Sequence, residues 1–260
     1  MRKITEKIEL IGAGLYDSIP DDLTIHNMPT ISDLDYIPGD SFESKMIDTI
    51  LPYTIEEKIN FRDLLEIDFQ WLCRWVRIFN YGPYFTTRAV FCGECGTSSK
   101  EVQVDVRNME CKEMADDFLN DITIAKENFL DAKYDIHIRL LTIQQVINMN
   151  KDKAFKSADG KTNRELARIC YMISSINGKT NLTPMEVKMI IQNELSASDY
   201  TILRAKCNEL TDYGLRAGGK TTCPECGNEN AAFLCLIDEK FFTPKVEDIT
   251  RWIQEFNANK

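Results

Sequence analysis

The sequence predicts an α+β protein that is mainly helical and that contains one small β-module, whose two halves lie far apart in the chain. Two observations predict the β-module. Similar Cys-x-x-Cys turns occur at 92–95 and 223–226, and β-type patterns flank both turns. A third observation, a series of helix start and stop signals between the turns, predicts that a helical domain is inserted between the two halves.

Each turn has Glu before its second Cys and Gly directly after it. This spacing directs two thiolates of one tight turn at the same point, and the Gly is free to take a positive φ. Two such turns supply four sulfurs, which form the tetrahedral shell of a structural Zn²⁺ with no position left for water. We therefore expect a closed zinc site whose ligands are Cys92, Cys95, Cys223 and Cys226.

The stretches beside the turns have strand patterns. Residues 84–91 are rich in aromatic and β-branched residues, and 101–107 alternate strictly between polar and apolar residues. Residues 231–237 form a mostly apolar run of strand length. Each half is therefore predicted to be a knuckle at the tip of a β-hairpin, and the halves together a split zinc ribbon over 81–108 plus 218–243.

A redox dithiol and a pair of structural disulfides are the alternatives to a metal site. A redox site favours a single motif that opens a helix in a βαβ setting, which neither turn offers. Nine cysteines without a secretion signal indicate a reducing compartment. The remaining five show no paired spacing and are expected to be small buried hydrophobic residues: Cys73, Cys111, Cys170, Cys207 and Cys235.

Two regions precede the ribbon. Residues 1–22 hold few periodic apolar residues, and Gly and Pro interrupt them, so we expect an N-terminal arm that needs a partner to become ordered. Residues 23–80 are predicted to be an α/β region with a short strand, a short helix and a long helix. The long helix starts at Asp68 as its N-cap and is apolar on two sides.

Residues 109–217 form the predicted helical insertion. Thr142, Thr162 and Thr183 each precede a Gln or Glu by three residues and so mark helix starts. A fourth helix is expected from about Ser198 to Tyr213. Before these helices, residues 134–140 alternate like a strand, and we interpret the polar face that contains His137 as solvated, not catalytic. The other histidine, His26, is likewise interpreted as an ordinary strand residue.

Residues 244–260 are predicted to form an amphipathic C-terminal helix. Its apolar residues either pack on the protein's own core or are offered to a neighbouring subunit. They are Val246, Ile249, Trp252, Ile253 and Phe256.

The stretch from Gly214 to Thr221 matches the phosphate-loop pattern G-x-x-x-x-G-K-[ST]. A phosphate loop requires a strand before it and a helix after it, because the helix N-terminus holds the phosphate. Here a predicted helix precedes the pattern and the second Cys turn follows within two residues. We therefore reject nucleotide binding.

The charge and hydropathy of the chain restrict its partners. The formal net charge is -10, whereas a nucleic-acid partner requires a basic surface. No apolar run approaches the ~20 residues that cross a bilayer. The sequence therefore indicates protein partners, with no nucleic acid and no membrane.

The order of several short motifs resembles that of the baseplate hub protein family of T-even-type tailed bacteriophages, over about residues 23 to 245. Two positions depart from the family pattern. The first turn reads Cys-Gly-Glu-Cys instead of Cys-Pro-x-Cys, and Thr243 stands where Arg is expected. The motifs, in order and interleaved with the two Cys turns, are Leu23-Thr24-Ile25, Asp63-Leu64-Leu65, Ile67-Asp68, Tyr81-Gly82-Pro83-Tyr84, Ile138-Arg139-Leu140-Leu141-Thr142, Ile173-Ser174-Ser175-Ile176-Asn177-Gly178 and Phe241-Phe242-x-Pro244.

The resemblance implies a structural component of a phage tail baseplate or hub that is not an enzyme. Such a component is assembled in the host cytoplasm, is located in the virion tail, and binds other tail proteins (hub, tube or tape measure proteins) within a hetero-oligomer. The alternative is an assembly chaperone for the hub or tape measure protein that is absent from the finished virion.

Overall fold

A computed structural model describes residues 5–27, 41–87, 90–99, 101–115, 118–131, 133–156 and 163–258. The chain divides into two compact units. Unit 1 comprises Met1–Phe61, Ile67–Glu113 and Gly214–Lys260, and unit 2 comprises Arg62–Glu66 and Met114–Tyr213. No helix in the described part of the chain combines the length and the hydropathy that a bilayer crossing requires.

The prediction of a mainly helical fold is wrong. Of the described residues, 44% are helical and 23% lie in strands, which form several small antiparallel sheets. One of these sheets lies within the region that was expected to be a helical insertion. A strand was predicted within residues 134–140, but the two strands that pair with it, Ile122–Ile124 and Ile173–Ile176, are only three and four residues long. Such pairing leaves a weaker sequence signal than helix periodicity.

Unit 1 begins with an antiparallel pair in place of the expected arm. Strand β1 (Thr5–Glu9) pairs with β2 (Asp22–His26). Apolar side chains of both strands, including Ile8 and Leu23, are buried. A short helical region follows, with α1 (Phe42–Lys45), a π-helical turn (Met46–Ile50) and α2 (Leu51–Thr54).

The long helix α3 (Glu66–Tyr81) begins two residues before the predicted cap. Asp68 is therefore not an N-cap but lies inside the helix, fully buried. Its carboxylate accepts hydrogen bonds from the Gly12 backbone N–H, at 3.0 Å, and from the Tyr16 hydroxyl. The apolar stripe of α3 is buried as expected, with Leu72 and Val76 fully inaccessible to solvent.

The ribbon strands form two sheets. In the first, β3 (Tyr84–Thr87) pairs with β6 (Val102–Asp105). The strands of the second are β4 (Val90–Phe91), β5 (Ser98–Ser99), β7 (Met109–Lys112), β11 (Gly214–Thr221) and β12 (Ala231–Leu234). They lie in the order β5-β4-β12-β11-β7.

The C-terminal helix α8 (Val246–Ala258) packs against β3. Asp248 is buried and accepts hydrogen bonds from the Thr86 hydroxyl and the Gln103 side-chain amide, both at 2.8 Å. The Trp252 ring lies against Gly82, where a Cβ atom would approach Trp252 Cγ to 2.5 Å. The helix thus docks within unit 1 through a carboxylate and an indole ring.

Unit 2 combines a sheet with helices. The sheet consists of β8 (Ile122–Ile124), β9 (Ile136–Ile138) and β10 (Ile173–Ile176), in the order β10-β9-β8. The helices are α4 (Ile143–Lys151), α5 (Arg164–Met172), α6 (Pro184–Glu194) and α7 (Ala197–Leu210).

The helix starts in unit 2 follow the sequence signals closely. Thr142 and Thr183 form the predicted capping boxes of α4 and α6. Thr162 lies outside the described residues, and Asn163 caps α5 by accepting a hydrogen bond from the Leu166 N–H. Helix α7 starts after Ser196, close to the predicted start.

Candidate metal centre

Pairing between the two hairpins brings the distant Cys turns together. The first turn joins β4 to β5, and the second joins β11 to β12. Strands β4 and β12 are direct antiparallel neighbours, with Phe91 opposite Ala232 and Val90 opposite Phe233. Two loops separated by residues 96 to 222 in sequence therefore lie side by side at one end of the same sheet.

The two turns have the same backbone hydrogen bonds. In the first, the Cys92 N–H donates to the Thr97 carbonyl and the Gly96 N–H donates to the Cys92 carbonyl, both at 3.0 Å. Gly96 has φ 69° and its counterpart Gly227 has φ 74°, a backbone region that favours glycine. The same two bonds recur in the second turn among Cys223, Gly227 and Asn228.

The four predicted cysteines converge. Their Sγ atoms all lie within 4.8 Å of one another, and no other group of three or more His, Cys, Asp or Glu residues in the described part of the chain is arranged this way. Cys92 Sγ lies 3.6 Å from Cys226 Sγ, and Cys95 Sγ lies 3.7 Å from Cys223 Sγ. Each turn contributes one buried and one exposed sulfur. The cluster can hold a metal ion.

Neighbouring groups shift the ionisation of these sulfurs in opposite directions. Hydrogen bonding with the Thr97 side chain and backbone lowers the pKa of Cys95 to about 6. The Asn228 backbone lowers the pKa of Cys226, but hydrogen bonding with Cys95 and the other nearby sulfurs raises it more. The net result is a pKa of about 12. Four thiolates this close together repel one another, and a bound cation would stabilise all four together.

The redox and disulfide alternatives fit the geometry less well. Both turns connect β-strands and neither opens a helix, so the setting of a redox dithiol is missing from this site. The two cross-turn sulfur pairs are 3.6 and 3.7 Å apart, whereas a disulfide requires about 2.05 Å. All nine cysteines are free thiols.

The other cysteines and the histidines lie apart from this cluster. Four of the five remaining cysteines are buried, as expected, whereas Cys111 is only partly buried. Burial raises the pKa of Cys73 well above its usual value. His137 contacts the Thr123 hydroxyl at 3.2 Å and Asp121 at 3.3 Å on a partly exposed strand, and His26 Nδ1 contacts the Asn27 carbonyl at 3.1 Å.

The phosphate-loop pattern is explained by sheet packing. Residues 214–221 form strand β11, which does not wrap around a phosphate as a loop does. A Cβ atom on Gly218 would collide with the Phe233 carbonyl oxygen, and one on Gly219 would collide with the Asn108 carbonyl oxygen. These glycines are required because neighbouring backbones approach β11 closely.

A buried arginine supports the ribbon and was missed by the sequence analysis. The Arg77 side chain on α3 is fully buried and donates a hydrogen bond to the Tyr84 carbonyl at 2.6 Å. Its Nε and Nη1 atoms have no hydrogen-bond partner among the described residues. The rings of Tyr81, Phe85 and Phe241 lie 5.6–5.9 Å from its Cζ atom. Burial lowers its pKa to about 10, so it remains charged at neutral pH.

These contacts make the ribbon a fixed part of unit 1. The ribbon core includes Val90, Val104 and Phe233, all buried, and Phe241 packs against Phe85 with ring centroids 5.6 Å apart.

Comparison of the chain with protein-family models, with curated proteins and with solved structures finds no match in any of the three.

Proposed function

We propose that the four cysteine thiolates hold a structural zinc ion that closes the split ribbon. The observation that carries this proposal is the convergence of four Sγ atoms, with cross-turn distances of 3.6 and 3.7 Å. A tetrahedral site with Zn–S bonds of about 2.3 Å has sulfur–sulfur edges of about 3.8 Å. The two cross-turn pairs, at 3.6 and 3.7 Å, therefore lie near the distance that bound zinc imposes.

The chemistry of the donors favours zinc over most other metals. Four sulfur ligands in a tetrahedral arrangement are typical of Zn²⁺ or of iron–sulfur centres, whereas Ca²⁺ and Mg²⁺ prefer oxygen. The ion would be held by Cys92, Cys95, Cys223 and Cys226. With all four positions occupied by protein, the metal offers no site to water or substrate, which supports a structural and not a catalytic role for the ion.

We further propose that the protein is a structural component of a bacteriophage tail baseplate or hub. The support is the ordered series of short motifs that resembles the pattern of that family, together with an acidic chain that suits protein partners better than nucleic acid. In this role it binds other tail proteins within a hetero-oligomer, is assembled in the host cytoplasm and is located in the virion tail.

Mass spectrometry of purified virions and of tail assembly intermediates tests this role. We expect the protein in the virion at a fixed ratio to known tail proteins. Presence in the intermediates but absence from virions would contradict a structural role and favour an assembly chaperone. Absence from both would overturn any function in the tail.

A further inference from the structure

The residue directly after the glycine of each Cys turn has its side chain beside a sulfur of the metal centre. In the first turn this residue is Thr97, and in the second it is Asn228. The backbone carbonyl of each residue closes its own turn. It accepts a hydrogen bond from the Cys92 N–H at 3.0 Å in the first turn and from the Cys223 N–H at 2.8 Å in the second. Both residues are half-buried, so the turns hold them in place from the backbone outward.

Thr97 contacts the exposed sulfur of its own turn. The Cys95 Sγ and the Thr97 hydroxyl oxygen are 3.1 Å apart, with the neutral thiol as the donor. A hydroxyl can donate as well as accept, whereas a thiolate has no proton and can only accept. Because Cys95 binds a metal as the thiolate, the Thr97 hydroxyl becomes the donor when the metal is bound. The observed distance already allows that hydrogen bond.

Asn228 contacts a sulfur of the other turn. Its Nδ2 donates to the Cys92 Sγ at 3.8 Å, although 136 positions separate the two residues in sequence. Its Oδ1 accepts a hydrogen bond from the Asn230 backbone N–H at 2.9 Å, which fixes the orientation of the amide so that its N–H groups face the sulfur. Since the Asn228 carbonyl also binds the Cys223 N–H, this one residue joins both turns of the split ribbon.

The charge of a zinc centre with four cysteines gives these donors a function. Each thiolate carries one negative charge and Zn²⁺ carries two positive charges, so the complete site remains doubly negative. Glu94 and Glu225, one in each turn, are exposed and add negative charge, and the whole chain has a formal net charge of -10. A hydrogen bond to an ionised acceptor is roughly twice as strong as a neutral one. Donors aimed at the sulfurs therefore offset part of the repulsion.

We propose that Thr97 and Asn228 are positioning residues that donate hydrogen bonds to the metal-bound thiolates and thereby strengthen zinc binding. The inference rests on the proposed zinc site and extends it, because neither residue is a ligand. Removal of a group that hydrogen-bonds a metal ligand typically weakens metal binding by about 10–100-fold. We expect a loss within this range for each of the two side chains.

Competition between the full chain and a chelator of known zinc affinity tests Asn228. Asn228→Ala should weaken zinc binding about tenfold or more. Asn228→Asp keeps the size of the side chain and an oxygen for the Asn230 N–H, but it places a carboxylate beside the Cys92 thiolate. It should therefore weaken binding more than Asn228→Ala does, whereas a residue that only fills space would show the reverse order. Asn230→Ala is the matched control, because it removes an exposed amide but keeps the backbone N–H, and it should leave the affinity unchanged.

Two variants of Thr97 separate its hydroxyl from its shape. Thr97→Val keeps the shape without the hydroxyl and should weaken zinc binding about tenfold, whereas Thr97→Ser keeps the hydroxyl and should restore most of the affinity. The spectrum of the Co²⁺-substituted chain gives a second readout. Loss of a hydrogen bond raises the energy of the sulfur electrons, so the sulfur-to-metal charge-transfer band should move to longer wavelength in Thr97→Val and stay at the wild-type position in Thr97→Ser.

The outcomes distinguish this inference from the zinc site on which it rests. A wild-type chain that binds no zinc would overturn both. Wild-type zinc affinity in Asn228→Ala and in Thr97→Val would overturn the positioning role alone and leave the zinc site intact. A loss of affinity in Thr97→Val that Thr97→Ser does not restore would assign the effect to packing and overturn the role of the hydroxyl. If Asn228→Ala fails to fold, the two Thr97 variants decide.

Discussion

Replacement of Asp248 by Ala should release the C-terminal helix from the sheet. The carboxylate is buried and accepts four hydrogen bonds: from the Thr86 N–H and hydroxyl, the Gln103 amide and the Lys245 N–H. The two shortest are 2.8 Å, and a hydrogen bond to a charged group contributes about 1.5 kcal/mol or more. We therefore expect a loss of about 3 kcal/mol in the free energy of unfolding of unit 1.

Thermal unfolding followed by tryptophan fluorescence, to which Trp252 on this helix contributes, provides the assay. For a protein of this size, a loss of about 3 kcal/mol corresponds to a Tm lower by about 6–12 °C. Glu247→Ala is the matched control, because it removes an exposed acid one residue away and should shift Tm by less than about 2 °C. Equal Tm values for Asp248→Ala and the wild type would refute the reasoning that this carboxylate anchors the helix.

Three further predictions concern the backbone, pH and helix capping. Gly82→Ala should lower the free energy of unfolding in urea by about 2–3 kcal/mol, because φ is +79° and the new Cβ would meet the Trp252 ring. Gly14→Ala is the control: φ is +78° but the space around it is open, so the loss should be about 1 kcal/mol. Burial raises the pKa of Asp68, so the folded chain keeps this proton to a higher pH than the unfolded chain, whose carboxyl has a pKa of about 3.9. The contribution of Asp68 to stability should therefore fall as the pH rises above about 4. In Asp68→Asn the urea midpoint should no longer show this fall with pH. A variant whose urea midpoint depends on pH as the wild type does would contradict this prediction. Thr183→Ala removes a capping box and should lower the opening free energy of α6 by about 1 kcal/mol, measured by amide hydrogen exchange of that helix. Unchanged protection of α6 would contradict the role of the cap.

Local signals in the sequence were sufficient for the Cys turns and for two helix starts. A Cys-x-x-Cys-Gly turn and a capping box each lie within a few residues, so their residue types determine their geometry. The structure accordingly brings together Cys92 and Cys223 and caps α6 at Thr183. The pairing of the two turns could also be predicted, because each supplies only two of the four ligands that a closed site needs.

Contacts between distant residues could not be predicted in this way. Asp68 matches a helix cap, yet its partner Gly12 lies 56 residues away and draws the carboxylate into the core. Residues 5–9 have little apolar content and become ordered through pairing with β2. Arg77 looks like a surface residue by type, and only the surrounding aromatic rings explain its burial.

The C-terminal helix shows how an amphipathic pattern can be misleading. The periodicity of residues 246–256 predicts a helix correctly, and an apolar stripe ordinarily faces the core. Here Trp252 and the buried Asp248 face the sheet, and Val246 and Ile253 are exposed. Hydropathy alone could not identify the docked face, because the contacts that fix it are mostly polar.

Zinc content is the most direct test of the claim that one metal ion closes the ribbon. Elemental analysis of the purified chain should give one zinc per molecule, and X-ray absorption should show four sulfur ligands at about 2.3 Å. Cys223→Ala should lose the zinc and cooperative unfolding of the ribbon. Cys235→Ala, which removes a buried sulfur from the same core, should retain one equivalent. A folded wild-type chain without zinc, or a Cys223→Ala variant that retains it in full, would contradict the account.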